Sequence, residues 1–315
     1  TSNLIRTQLL VVKPPVLKWK KLWWNNRETM KIPSVTIKQL LEAGVHLGHK
    51  TFRWNPKVSK FIFGSKNSIH IIDLVQTIEL INVALQQMHK CISSGGKILF
   101  VSTKKQASET VCELAKDTSQ FYVNHRWLGG MLTNWNTISN SIKRYKKLSE
   151  ELKKENIGFT KKEILKMGTE RDKLERSLGG IADMKKVPDM IFIIDINAES
   201  LAVKEALKLN IPIVAIVDTN ADPTGINFPI PGNDDARRAI NLYCDLAKQT
   251  ILDAQKYIIK KQDIVEKKSI KESEIPKSEE KKVSQKPKGK AETFISKEKK
   301  ATSIFSKIRQ LAIKK

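Results

Sequence analysis

The sequence predicts an α/β fold in which helices flank a mainly parallel sheet of the flavodoxin-like or Rossmann-like kind. Residues 97–102, 190–195 and 213–218 form three nearly continuous apolar runs, which is the pattern of strands buried on both faces of a parallel sheet. Helical patterns follow the first two runs, at about residues 106–116 and 199–209. Because strands that alternate with such helices are typical of βαβ units, we expect a parallel sheet covered by helices.

Caps, turns and short apolar patterns predict further elements on either side of these runs. They are a helix over residues 37–43 capped by Thr36 and ended by Gly44, strands over 61–63 and 69–72 around a turn at 64–67, a helix from Asp73 to Gly95, and a helix from about 233 to 261.

Residues 134–178 interrupt the alternation and predict an antiparallel coiled-coil hairpin that protrudes from the sheet domain. The seam of its first helix is narrow, with apolar residues four, three, three and four positions apart: Ile138, Ile142, Tyr145, Leu148 and Leu152. Thr160 and Glu163 have the spacing of a capping box for the second helix, which stops at Gly179. The outer faces of both helices are too polar to be buried.

The chain of 315 residues carries a net charge of +24 and has a pI near 9.8. Residues 1–30 hold six Lys or Arg against one acid, and residues 257–315 hold 18 against eight. Residues 31–256 therefore keep a net charge of +9, so the predicted domain is basic without its ends. This excess indicates a polyanionic partner, either a nucleic acid or an anionic membrane face.

The two ends differ in composition from the rest of the chain. Residues 1–29 are basic and nearly free of acids, and Met30 fits a natural start, so we expect them to be an extension or a leader outside the fold. Residues 30–261 form the expected domain. Residues 262–315 are rich in Lys, Glu, Ser and Pro and are predicted to be a disordered basic tail, with a more amphipathic stretch at 304–313.

Cysteine usage and hydropathy make several classes of protein improbable. Cys91, Cys112 and Cys244 have no close spacing, which argues against a disulfide framework and fits a reducing compartment. No apolar run approaches the ~18 residues that span a bilayer. We expect no cofactor, no membrane association and no small-molecule substrate.

The most informative segment, residues 121–135, crowds cationic donors, amides and flat aromatic rings around Gly129 and Gly130. This chemistry suits contact with a phosphate backbone and stacking on bases. Trp127 and Trp135 are either stacking groups or core anchors. Because apolar residues surround them, we expect at least one to be buried.

Two further segments carry similar chemistry. A loop predicted over residues 46–57 combines histidines, cations and Trp54, which either stacks on a base or packs into the core. Two lysines follow the strand at 97–102, where the free amides of a helix N-terminus attract phosphate. The residues predicted to contact RNA are His46, His49, Arg53, Trp54, Asn55, Lys57, Lys104, Lys105, His125, Arg126, Trp127 and Asn134. No metal site is expected, because no nearby Cys or acid supplies further ligands to His46 and His49.

A nucleotide-dependent α/β enzyme is the alternative from another class. Asp195 and Asp218 fall at the carboxyl ends of predicted strands, where such enzymes keep catalytic groups. Asp218 and Asp222 have the chemistry to hold Mg²⁺, but a turn stabilised by side-chain hydrogen bonds before Pro223 is the favoured explanation of these residues. Neither glycine-rich phosphate-loop motif occurs in the chain, which counts against an enzyme.

Several motifs, in this order, closely resemble the bacterial-type small-subunit ribosomal protein S-two family over about residues 31–258. They lie at residues 43–49, 53–57, 69–73, 97–101, 121–135, 177–181, 216–220 and 230–236. The longest of them, Phe-Tyr-Val-Asn-His-Arg-Trp-Leu-Gly-Gly-Met-Leu-Thr-Asn-Trp at 121–135, is very specific.

The resemblance implies a three-layer α/β/α domain with a protruding coiled-coil hairpin. It also implies a non-catalytic place on the small subunit near the junction of head and body, contact with small-subunit (16S-type) rRNA, and docking of ribosomal protein S-one. The expected location is the small ribosomal subunit of the bacterial cytoplasm, with a mitochondrial or other organellar ribosome as the alternative.

Overall fold

The structure, a computed structural model, describes residues 32–153 and 160–273, with side chains as far as residue 259. Its strands are β1 (Leu47–Lys50), β2 (Ile62–Lys66), β3 (Ile69–Ile72), β4 (Ile98–Val101), β5 (Phe121–Val123), β6 (Met190–Ile193), β7 (Ile213–Val217) and β8 (Phe228–Pro231). Its helices are α1 (Ile37–Ala43), α2 (Leu74–Ser93), α3 (Lys105–Asp117), α4 (Trp135–Glu151), α5 (Lys161–Leu178), α6 (Ser200–Lys208) and α7 (Arg237–Ser273).

Five strands form the predicted parallel sheet, in the order β5-β4-β6-β7-β8. All residues of β4, β6 and β7 are buried, as their apolar runs predict. The edge strand β8 contains Pro229 and Pro231 and pairs only with β7. Proline is tolerated there because an edge strand leaves one row of backbone amides without a strand partner.

Helices cover both faces of this sheet, so the domain has three layers. Alternate residues of each central strand point to opposite faces. Phe100 and Phe192 pack with the buried sides of α2, α3 and α7, whereas Leu99 and Ile191 pack with α6 and with the bases of α4 and α5. The predicted α/β fold class is confirmed.

A second, antiparallel sheet of three strands has the order β1-β3-β2. The sequence predicted residues 47–50 as loop and placed a turn at 64–67, and both assignments were wrong. Residues 47–50 are β1, and the turn falls at Asn67 and Ser68, which have φ values of 52° and 60°. Asn is among the residues that tolerate such left-handed backbone in a hairpin turn.

Helices α4 and α5 occupy the region predicted as a hairpin, and residues 154–159 between them lie outside the described residues. Thr160 and Glu163 make the predicted capping box at the start of α5. Ile138 and Leu178, one from each helix, are buried against the same core. Arg144 and Glu170 form an ion pair between the helices, with Nη2 and Oε1 2.5 Å apart. Protrusion as a coiled coil stays a prediction.

Helix α7 begins where predicted but continues past the predicted end near Lys261 to Ser273. The helix therefore includes residues 262–273, which the composition had assigned to the disordered tail. Backbone contacts divide the chain into two units, Thr1–Glu266 and Lys267–Lys315. Predictions for residues 1–29 and for 274–315 lie outside the described residues.

Candidate nucleic-acid interface and a carboxylate cluster

The carboxyl edge of the parallel sheet gathers the segments that the sequence singled out. Segments 102–105, 124–134, 195–199 and 218–222 follow β4, β5, β6 and β7. The segment 46–57, which includes β1, is held over the end of β7 by Thr219. Its hydroxyl accepts a hydrogen bond from the His49 amide at 2.9 Å, and its carbonyl accepts one from the Asn55 amide at 2.8 Å.

Close packing reinforces this attachment. A Cβ atom on Gly48 would lie 2.6 Å from the methyl group of Thr219. Only glycine allows β1 to approach β7 this closely, which accounts for the Leu-Gly-His sequence in the loop.

The segment 125–134 is organised by Glu205, a residue of α6 that the sequence analysis did not single out. Its carboxylate accepts hydrogen bonds from the indole of Trp127 (3.0 Å) and from the backbone amides of Gly130 (2.8 Å), Leu132 (2.9 Å) and Thr133 (3.1 Å). Burial opposes ionisation, but these bonds hold the pKa of Glu205 below its usual range. The loop therefore has a fixed shape, with Gly130 supplying a φ of +81°.

Trp127 is buried, with 6% of its surface exposed. The prediction that at least one of the two tryptophans anchors the core is confirmed. The Trp127 ring is covered and its indole N–H donates to Glu205, so the ring does not offer a free face or donor for the RNA contact predicted for it. Its role is to hold the loop in place.

Exposed side chains remain at this edge after the loop has folded. Arg53, Lys105, His125, Arg126 and Asn134 are exposed. The ring of Trp54 is 40% exposed and lies against His70 at 5.4 Å between centroids. Among the described residues, no ion pair engages the cations of this set.

Lys104 does not belong with these exposed cations. Its ammonium lies 2.9 Å from Asp195, 3.0 Å from Asp234 and 2.7 Å from Asp235. Burial alone would lower the pKa of Lys104, but these carboxylates raise it above its usual range. At the start of α3, Lys104 therefore neutralises acids and the Thr103 amide donates to Glu199, so neither is free for the predicted phosphate contact. Lys105, the second lysine of that prediction, remains exposed.

Lys57 is also paired but on the surface. Its ammonium lies 2.6 Å from Asp222, and more than half of its side chain is exposed. An exposed pair of this kind contributes at most about 1 kcal/mol. Lys57 is therefore able to exchange its partner for a phosphate at little cost.

Two of the remaining predicted contacts have structural roles. The Asn55 carboxamide caps the short helix Pro56–Phe61 by accepting from the Lys57 amide. The His46 carbonyl accepts the Ile72 amide, which joins the loop to β3, and its Nδ1 is buried.

His49 faces carboxylates rather than solvent. Its Nδ1 lies 3.1 Å from Asp218 Oδ2, and its Nε2 lies 3.4 Å from Asp235 Oδ2. The bond to Asp218 raises the pKa of His49 against the lowering effect of burial. The premise that no acid accompanies His49 was wrong, because Asp218 and Asp234 reach it from the ends of β7 and β8.

The carboxylates proposed for an enzyme are engaged in local structure. Asp195 accepts two backbone amides of the following turn and pairs with Lys104. Asp222 accepts the Thr224 amide, which is the predicted turn before Pro223. The group of possible metal ligands found in the described residues includes Asp218 but not Asp222, and Asp222 pairs instead with Lys57.

Sequence reasoning missed two exposed aromatic rings. Phe52 is 73% exposed beside Arg53, whose guanidinium carbon lies 5.4 Å from the ring centre. Phe63 on β2 is 79% exposed. Phe52 lies in the same segment as Trp54, so its position beside predicted RNA contacts could have identified it. Glu205 offered no signal, because its partners lie more than 70 positions away.

The fold and this edge define a class: a three-layer α/β/α protein that lacks the glycine-rich loops of nucleotide-binding enzymes and exposes cations and aromatic rings instead. The family model of ribosomal protein S2 matches residues 40–254. The chain belongs to the ribosomal protein S2 family, and the resemblance seen in the motifs is confirmed.

Individual relatives agree with the family assignment. The small ribosomal subunit protein uS2 of Parvibaculum lavamentivorans is 57% identical over 224 residues, covering 71% of this chain and 88% of that protein. The uS2 protein of Sinorhizobium medicae gives the same identity and coverage. That of Phenylobacterium zucineum is 58% identical and is covered over 76% of its length. In the part of this chain that the structure describes, no helix is long and apolar enough to cross a membrane.

Proposed function

We propose that this chain is a structural, non-enzymatic constituent of the small ribosomal subunit that binds small-subunit rRNA at the carboxyl edge of its parallel sheet. Membership of the ribosomal protein S2 family supports the place in the subunit. The observation that carries the RNA surface is the set of exposed cations and rings on loops fixed at that edge.

The proposed contacts are a subset of those predicted from the sequence, with Phe52 added. Arg53, Lys57, Lys105 and Arg126 bind phosphates, because their charged groups reach solvent. Trp54 and the added Phe52 stack on bases or sugars, since their faces are exposed. His125 and Asn134 supply hydrogen bonds. His46, His49, Asn55, Lys104 and Trp127 shape the surface from beneath.

Rigidity strengthens this proposal. Thr219 fixes the backbone of one segment and Glu205 fixes that of the other, so the backbone of both segments needs little ordering on binding. Less ordering entropy is then lost when RNA binds.

The RNA surface is tested by an Arg53→Ala, Arg126→Ala double variant. We expect weaker binding to small-subunit rRNA and a salt dependence reduced by about 0.7 to 0.9 units of log–log slope per lost contact. The matched control is Lys116→Ala, Lys208→Ala. These exposed lysines lie in the last turns of α3 and α6, and a crossover helix ends at the opposite edge of a parallel sheet. Equal losses in both variants, or none in the first, would remove the assignment.

The place in the subunit has its own test. The tagged full chain should sediment with small subunits in a sucrose gradient at low salt and dissociate as salt rises. A protein that remained at the top of the gradient with free enzymes would contradict it.

We also propose, on family resemblance, that the subunit-bound chain supports docking of ribosomal protein S-one. Small subunits reconstituted without this chain should then retain less S-one after sedimentation, and adding the chain back should restore it. Unchanged retention would remove this part of the proposal and leave the RNA surface standing.

A further inference from the structure

We propose that an uncharged stretch near the N-terminus, residues 7–12, binds along the free edge of β2 as a fourth strand of the small antiparallel sheet. The partner of this edge is then a segment of the same chain. The proposal joins part of residues 1–29 to the fold, whereas the sequence alone predicts that all of them lie outside it.

The small sheet has an open edge at β2. Its strand order is β1-β3-β2, and within the described residues β2 pairs with β3 alone. An edge strand presents backbone amides and carbonyls that readily pair with a further strand, and natural proteins usually cover or blunt such an edge. Addition of an extended segment to a sheet edge is also a common mode of peptide recognition.

Several apolar side chains of this sheet have no place in the interior. Among the described residues, five of them belong to neither hydrophobic core: Leu47, Ile62, Phe63, Ile69 and Ile71. Phe63, on the open strand itself, is 79% exposed, and Leu47 is 44% exposed. Exposed apolar patches of this kind mark surfaces that bind a partner.

The register of the sheet shows where an added strand fits. Leu47 lies opposite Ile71, and Ile71 lies opposite Gly64. Residues that lie directly opposite one another share a face, so these three form a row that crosses the sheet and ends at the open edge. A Cβ atom on Gly64 would meet nothing within 4 Å. An apolar side chain from a fourth strand has room beside Gly64 and continues the row.

Residues 7–12 have the composition and length for this position. Their sequence is Thr-Gln-Leu-Leu-Val-Val, which contains no charge and ends in two β-branched residues. Pro14 and Pro15 follow closely and cannot donate to a ladder of backbone hydrogen bonds, so they end the strand. The six residues match the five of β2.

The connection to the domain is long enough. Ile32 packs on the core, and α1 leads from there to β1 of the same small sheet. Twenty residues separate Val12 from Ile32, and an extended link of this length spans up to roughly 66 Å. The link therefore does not restrict the stretch from reaching β2.

Charge distinguishes this stretch from the other amphipathic segment, residues 304–313. That segment carries Lys307 and Arg309. Exposed lysines lie at both ends of β2, at positions 60 and 66, and like charges placed opposite one another on neighbouring strands are destabilising. An uncharged strand avoids this repulsion.

Hydrogen exchange of the purified full-length chain, followed by mass spectrometry, tests the proposal, because paired backbone amides exchange slowly. We expect residues 7–12 to be protected. Val11→Pro removes a donor and prevents the ladder, so amide exchange in residues 62–66 should become at least tenfold faster. Asn25→Pro is the matched control, because it lies in the same segment outside the stretch, and it should leave the exchange of β2 unchanged.

A reciprocal variant tests the other side of the contact. Phe63→Lys places a third positive charge on this strand, and it keeps the fold because the ring is mostly exposed. Exchange in residues 7–12 should become at least tenfold faster. Phe52→Lys is the control, because Phe52 is 73% exposed but lies outside the small sheet, and it should leave residues 7–12 protected.

Four results would overturn the proposal. The first is exchange of residues 7–12 at the rate of an unstructured peptide in the unmodified chain. The second is equal exchange of β2 in Val11→Pro and Asn25→Pro. The third is protection of β2 that rises with protein concentration, which would assign the edge to a second copy of the chain. The fourth is protection of β2 that requires added small-subunit rRNA, which would assign the edge to RNA.

Discussion

At the residue scale, the carboxylate of Glu205 fixes the shape of a loop that lies far away in the chain. Two oxygens accept from one indole, three backbone amides and the Thr133 hydroxyl. Water cannot replace the carboxylate at the donors of Trp127 and Leu132, because both residues are buried. The geometry of the proposed RNA surface therefore depends on a residue outside it.

Replacing Glu205 with Gln should destabilise the domain by about 1 to 3 kcal/mol, because the amide group of Gln faces donors that then lack an acceptor. Chemical denaturation followed by circular dichroism measures the change. Glu109→Gln, at an exposed position of α3, serves as the control and should change stability little. Equal stability of the two variants would show that the loop does not need the carboxylate.

The same carboxylate makes a pH-dependent contribution. Its pKa is lower in the folded state than its usual value of about 4.3. The folded state therefore gains stability from Glu205 above that usual value, and this gain is lost as pH falls through the lower, folded-state pKa. The stability of the unmodified chain should fall more steeply than that of Glu205→Gln below about pH 4.3. Parallel curves in acid denaturation would contradict this.

At the element scale, the helix pair α4 and α5 meets the sheet at Gly180. A Cβ atom on this residue would lie 2.1 Å from the Tyr122 carbonyl oxygen of β5. Backbone cannot yield to such a contact as a flexible side chain can. The Gly179-Gly180 sequence, which the sequence analysis took as the end of a helix, also permits this close packing.

Gly180→Ala should therefore lower the melting temperature markedly, and Gly168→Ala is the matched control. Gly168 lies within α5, and a Cβ there would meet nothing within 4 Å. Alanine at this position should stabilise the helix by about 0.5 to 1 kcal/mol. Thermal unfolding of the two variants should move in opposite directions, and a shift of the same sign would show that the close approach is unimportant.

The elements also show which parts of the fold the sequence predicts. Strands β4, β6 and β7 can be predicted from the sequence. Both of their faces are buried, so their residues are apolar in an unbroken run. Strand β1 cannot be predicted in this way, because Leu-Gly-His-Lys gains its strand geometry from β3 and from Thr219, which are remote in sequence. The exposed residues of the site could be predicted from their residue types. The pairing of Lys104 and of His49 with aspartates could not, because it depends on contacts that only the fold creates.

At the scale of the whole molecule, charge is segregated by depth. Acids at the carboxyl edge of the sheet are buried around Lys104 and His49, while Arg53, Lys105 and Arg126 reach the surface. Because the acids are buried below the exposed cations, a polyanion that approaches this edge meets the cations first. The excess charge of both chain ends adds a longer-range pull that is screened over ~8 Å at physiological salt.

Truncation after Ser273 tests this division of roles. Residues 274–315 hold 13 Lys or Arg against five acids and few apolar residues. A segment with so few apolar residues is not expected to offset its ordering entropy, so the melting temperature should stay nearly constant. Binding to small-subunit rRNA should weaken and lose part of its salt dependence, because fewer counterions are released. A large drop in melting temperature would show that the segment packs on the domain.

A scrambled version of residues 274–315 then separates diffuse attraction from a specific contact. If charge alone matters, the scrambled segment should restore RNA affinity and salt dependence to those of the full chain, because composition and length are unchanged. The amphipathic stretch 304–313 makes the opposite result informative. Restoration by the native order alone would mean that this stretch docks on RNA or on a neighbouring protein through its apolar residues, and the electrostatic account of the tail would be wrong.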